Sequence, residues 1–102
     1  MASSREYVAY ILEQLEPLPV SARAMMGEYV VYYRDKVIGG IYDNQFLIKV
    51  TPAGAALMPD CPQFAPYPGA KPMFAVENVE DKEMMRTLLS QMYEALPARK
   101  KH

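Results

Sequence analysis

Tryptophan is absent from this 102-residue chain, and cysteine and histidine occur once each. A single cysteine excludes an internal disulfide and suits a reducing compartment, so a cytoplasmic setting is expected. Cys61 lies between Asp60 and Pro62, with no histidine or basic residue close in sequence to lower its thiol pKa. His102 stands last in the sequence, a poor position for a general base or a ligand. No spacing of His, Cys and carboxylates converges as a metal site requires. No catalytic residue, metal site or cofactor site is therefore assigned. Long apolar runs are also missing. Nothing approaches the ~18 residues of a membrane span, and the opening MASSREYV lacks the apolar core of a signal peptide. Nor is there an excess of one charge: 11 Lys and Arg against 12 Asp and Glu give a net −1, which leaves no electrostatic footprint for nucleic acid or an anionic membrane.

What the chain has is apolar material, 51% of its residues, with eight tyrosines and eight methionines. That suffices for one core at this length, so residues 1–97 are expected to form a single domain and 98–102 a basic, disordered tail. Ser3 followed by Glu6 has the pattern of a capping box, and Val8, Ile11, Leu12 and Leu15 then recur at helical spacing. Pro17 and Pro19 end that helix. Residues 21–26 alternate as a first strand, and Gly27 breaks it. Thr51-Pro52 opens a helix of about two turns before Pro59. Five prolines between Pro59 and Pro72 exclude a central strand or long helix there. Phe64, Tyr67 and Met73 nevertheless give this segment rings and apolar groups to bury, so an ordered, packed loop is expected. Residues 73–76 read as a short strand. Asn78 and Asp81 cap a final helix whose stripe is Met85, Leu88, Leu89, Met92 and Leu96. The carboxylates Glu77, Glu80, Asp81 and Glu83 at its start are accounted for by the helix dipole. Gly39-Gly40 lies within a strand and is not a phosphate loop.

The stretch from Met25 to Val50 reads as an antiparallel meander. With Asp43-Asn44 as a two-residue turn, Ile41 faces Phe46, Gly39 faces Ile48 and Val37 faces Val50 on one side of the sheet. Gly40 with Leu47 and Ile38 with Lys49 fall on the other. The first side is expected to receive both helices, giving an α+β, two-layer domain with an antiparallel sheet and N- and C-terminal helices packed on it. With Asp35-Lys36 as the tip of the preceding turn, Tyr33 faces Ile38, Val31 faces Gly40 and Tyr29 faces Tyr42. Tyr29, Val31, Tyr33, Tyr42 and Leu47 then form an apolar second face, a candidate interaction surface; a homodimer is expected through this face or through an edge strand. Two alternatives compete with that placement: a register shifted by one, which exchanges the faces of the second strand, and a proline-rich loop that covers this side. Phe64, Tyr67 and Lys71 are the candidate pocket of that loop, for a small ligand or a peptide, with Gly69 turning the chain back at positive φ; the alternative is a loop that only covers the end of the core.

The segment RAMMGEYVVYYRDKVIGGIYDNQFLIK, from Arg23 to Lys49, resembles the N-terminal domain of the TfoX/Sxy family of competence regulators. The shared features are Arg23, Met25, Gly27, Tyr29, Asp43-Asn44 and Phe46-Leu47-Ile48-Lys49. Met26 stands in place of Phe and Glu28 in place of Gly, which is similar to a stand-alone, single-domain branch. The loop from Ala65 to Lys71 and the Leu96-Pro97 end are similar to that branch too. The resemblance implies a secretion-chaperone-like two-layer fold, sheet-mediated pairing and a transcription-linked role. The expected function is a small, non-enzymatic binding module acting through an unknown protein partner in a regulatory role. Direct nucleic-acid binding as a transcriptional regulator is the alternative. The charge balance argues against it for the isolated chain, and no membrane association is expected.

Overall fold

The computed structural model describes residues 4–96. The expected tail at 98–102, and Ser3 and Pro97, lie outside the described residues. The elements follow in the order α1 (Arg5–Leu15), β1 (Val20–Met25), β2 (Glu28–Tyr33), β3 (Lys36–Tyr42), β4 (Gln45–Ile48), α2 (Pro52–Leu57), β5 (Gln63–Phe64), β6 (Met73–Ala75) and α3 (Lys82–Ala95). The strands form one antiparallel sheet in the order β1-β2-β3-β4-β6-β5. The two-layer α+β architecture read from the sequence is the observed one. The sheet has two more strands than the meander and β6 supply. One is β1, already expected; the other is β5, a two-residue piece at the far edge within the proline-rich segment.

Local chemistry explains the element ends. Ser4, one residue later than the capping-box pattern indicates, caps α1 by accepting from the Tyr7 N–H at 3.1 Å. Thr51 caps α2 through the Gly54 N–H at 3.2 Å, and Asp81 caps α3 through Met84 N–H at 3.1 Å. Asp43 and Asn44 both take positive φ, as a two-residue type I′ turn requires, and Met26-Gly27 does the same between β1 and β2.

Neither long helix carries a basic residue in its last turn. A lysine from elsewhere serves each one. Lys82 Nζ donates to the carbonyls of Gln14 and Glu16, both at 2.9 Å, at the end of α1. Lys36 Nζ donates to the carbonyls of Tyr93 at 2.6 Å and Leu96 at 2.9 Å, at the end of α3, and sits 4.1 Å from the centre of the Tyr93 ring. The Tyr93 hydroxyl returns a 2.6 Å bond to Asp35. A cation meeting the negative end of a helix in a half-buried setting contributes up to about 2 kcal/mol. Lys36→Met should therefore cost about 1–2 kcal/mol, read as a lower urea midpoint. A midpoint that stays put would mean that water serves those carbonyls equally well.

The core lies between the helices and one face of the sheet. Val8, Ile11 and Leu15 of α1 and Met85, Leu88, Leu89 and Met92 of α3 pack on Val31, Tyr33, Ile38, Ile41, Phe46, Ile48 and Phe74. The β3–β4 register is as read: Ile41 opposite Phe46, Gly39 opposite Ile48, Gly40 opposite Leu47. The β2–β3 register is not. Tyr33 pairs with Lys36 and Tyr32 with Val37, so the turn tip is Arg34-Asp35. Beyond it Val31 pairs with Gly39 and Tyr29 with Ile41, which leaves Ile38 as the extra residue of a β-bulge. The bulge turns Ile38 into the helix-side core and leaves Val37 on the opposite face. No helix among the described residues is long and apolar enough to cross a membrane.

Candidate functional site

The bulge decides which residues are available for function. Tyr29, Val31 and Tyr33, expected on an exposed second face, point to the helices. Val31 is fully buried and Tyr33 nearly so. Leu47 does lie on the second face, by alternation with Phe46 and Ile48, but it is buried there. Of the five residues of the expected interaction surface, Tyr42 alone lines the opening on that face. The true second face presents the even-numbered residues of β2, Val30 and Tyr32, with Val37 and Tyr42 of β3. Val37 and Val50, expected under the helices, also belong here.

The proline-rich loop folds over this face. Pro66, Tyr67, Ala70, Lys71 and Pro72 stand opposite the strand residues and enclose with them a cavity of about 690 Å³. Met25, Met73 and Lys49 complete the wall together with Val50 and Gly39. Gly69 takes φ +87°, as the turn requires, and the Ala70 N–H donates to the Tyr67 carbonyl at 3.1 Å, so the loop carries a defined turn at its tip. The Tyr42 ring packs closely on Gly40: a Cβ at that glycine would come within 2.6 Å of both the ring and the Tyr29 carbonyl oxygen. Burial raises the Tyr42 hydroxyl pKa, and Tyr67 and Glu28 add to the rise, so the phenol stays protonated. The Glu28 carboxylate is itself engaged, accepting from the Asp43 N–H at 3.2 and 3.3 Å.

Of the expected loop pocket, Tyr67 and Lys71 line the cavity and Phe64 does not. Phe64 sits in β5 and borders a smaller recess beside Tyr7, Asn44 and Phe46. Sequence reading missed Val30, Tyr32 and Val37, because an unbroken apolar run from Tyr29 to Tyr33 has no alternation to show which residues face which way. Gly39 beside Ile38 was the available signal, since a glycine inside a strand pattern marks a bulge.

Other reactive groups stand apart from the cavity. Cys61 Sγ contacts the Ala75 carbonyl oxygen at 3.2 Å. Burial raises its thiol pKa, the Glu77 charge raises it further, and the contact with Ala75 works in the other direction. Among the described residues no group of three His, Cys, Asp or Glu side chains is placed to hold a metal ion. Arg23 and Arg34 flank a small polar recess with Ser21 and Tyr32. Arg34 also lies over the rings of Tyr33 and Tyr93, at 5.6 and 5.9 Å.

No protein-family model matches the chain, and no solved structure matches it. It is 37% identical over 102 residues to an uncharacterized 12.7 kDa protein in the trpE 5′ region of Spirochaeta aurantia, an alignment that covers 98% of this chain and 89% of the relative. Identity at that level over nearly the full length of both proteins shows that the chain belongs to the same family as this spirochaete protein.

Proposed function

We propose that this protein is a small, non-catalytic binding module whose ligand occupies the cavity between the second face of the sheet and the proline-rich loop. The cavity itself carries the reading. At about 690 Å³, with walls of Val, Met, Pro and Tyr, it falls in the ~300–1,000 Å³ range of small-ligand sites and has their mainly apolar character. Its only titratable wall residues are lysines and tyrosines. The thiol and the clustered carboxylates lie elsewhere, so no acid–base pair converges on a bound molecule there. The regulatory role rests on the resemblance to TfoX/Sxy N-terminal domains. A ligand under the loop changes the surface that the loop presents, which is how occupancy would reach a protein partner in the cytoplasm. Self-association loses the face first considered for it. The edge-strand route stays, and the outer edge of β1, which pairs with no strand among the described residues, is the surface we assign to it. Duplex binding gains no support from two arginines beside a polar recess on a chain of net charge −1.

A neutral solvatochromic dye tests the site. Prodan should bind the full chain with a blue-shifted emission. Ala70→Trp, which adds bulk to the loop wall without touching the helix-side core, should weaken that binding at least ~10-fold, the equivalent of about 1.4 kcal/mol. Dye binding that ignores the tryptophan would place the apolar site elsewhere and end this reading.

A further inference from the structure

Four lysines fall among the described residues, and they divide into two pairs. Lys36 and Lys82 spend their ammonium groups on helix-end carbonyls. Lys49 and Lys71 have no hydrogen-bond or ion-pair partner for theirs among the described residues, and both line the same cavity. None of the fourteen residues lining that cavity is acidic. Lys49 follows directly on β4, held by its N–H bond to the Ile38 carbonyl at 2.8 Å. Lys71 follows the Gly69 turn on the loop side. A lysine in an apolar wall lays its stem against that wall and keeps its ammonium in water, so two uncompensated positive charges stand at the mouth of an apolar chamber.

We propose that the occupant is a small amphipathic carboxylate, a free acid with one anionic head and an apolar body. This inference rests on the reading of the cavity as a binding site. The apolar body lies against Val30, Val37, Val50 and Met73, and the carboxylate sits between Lys49 and Lys71. The hydroxyls of Tyr42 and Tyr67 on the wall supply further donors, that of Tyr42 remaining protonated above neutral pH. Charge complementarity selects an anion over a neutral or cationic amphiphile, because a lysine–carboxylate contact in a half-dry site is stronger than its equivalent in water. The wall chemistry selects a monoanion over a phosphate. Phosphate sites collect forked guanidinium groups or several backbone N–H donors, and this wall offers two point charges and little other polarity.

Calorimetry on the full chain with octanoate, octanol and octylammonium, alongside prodan, decides the matter. Octanoate should displace prodan and bind about tenfold more tightly than octanol, with octylammonium weaker than either. Lys49→Met and Lys71→Met keep the apolar stem and remove the charge. Each should reduce octanoate affinity about tenfold and shift octanol and prodan affinity far less, with an unchanged urea midpoint. Equal affinity for octanoate and octanol, or octanoate binding indifferent to both substitutions, would overturn the carboxylate assignment. Prodan binding retained in that case leaves the cavity as a site for a neutral ligand or an apolar peptide side chain. Failure of prodan and octanoate alike removes the binding site itself.

Discussion

Val31→Lys should leave the chain unfolded, while Val30→Lys, one residue away, should fold. Val31 has no exposure and packs on the helix side of the sheet. An ammonium placed there has no partner, and the effective cost of burying an unpaired ion is several kcal/mol. Set against the ~5–15 kcal/mol that holds a domain of this kind together, that cost removes most or all of the stability. Val30 is half-buried in the cavity wall, so a lysine there reaches water along the wall as Lys49 does. Far-UV circular dichroism and urea titration of the two variants read out the register of β2 directly. The reverse ranking, a folded Val31→Lys beside an unfolded Val30→Lys, would remove the bulge at Ile38 and restore the unbulged pairing of the two strands.

Leu88→Ala should lower stability by roughly 2–5 kcal/mol, since the side chain is fully buried between α3 and the sheet and its removal leaves a cavity that the surrounding residues fill only in part. Thr87→Ala, on the exposed side of the same helix, should stay within about 0.5 kcal/mol of the parent. The measurement is the urea midpoint at constant slope. Equal effects at the two positions would show α3 to be peripheral and not half of the helical layer.

The parts legible in the sequence are those where a period or a turn left one reading. Both helix stripes were of this kind, because Val8, Ile11, Leu15 and Met85, Leu88, Leu89, Met92 each recur on one side of a helix and both sets are buried together. So was the β3–β4 hairpin, where Asp43-Asn44 left one economical turn. The β2–β3 pairing was not. Five apolar residues in a row fit either face equally well, and Arg34-Asp35-Lys36 allows more than one tip. The choice falls to the helices, which need Val31, Tyr33 and Ile38 beneath them at once; only a bulge supplies all three. The candidate site inherited that ambiguity. Tyr67 and Lys71 were identified from the loop alone, whereas their counterparts on the sheet depended on the register. Phe64 is near them in sequence only, since it belongs to β5 and borders a different recess.

The exchange of lysines between the two long helices bears on how the chain acquires its shape during synthesis. Lys82 lies 66 and 68 residues beyond the carbonyls it serves at the end of α1, and Lys36 lies 57 and 60 residues before those it serves at the end of α3. Such contacts form only after long loops have closed, and loop closure precedes any return from the contact. Of the two long helices α1 is made first, and it therefore waits for the start of α3 to complete its final turn. Until α3 has been made, half of the helical layer is missing and α1 has a bare end. These elements are thus built to fold as one unit, in which the helix made earlier is finished by a residue of the helix made later.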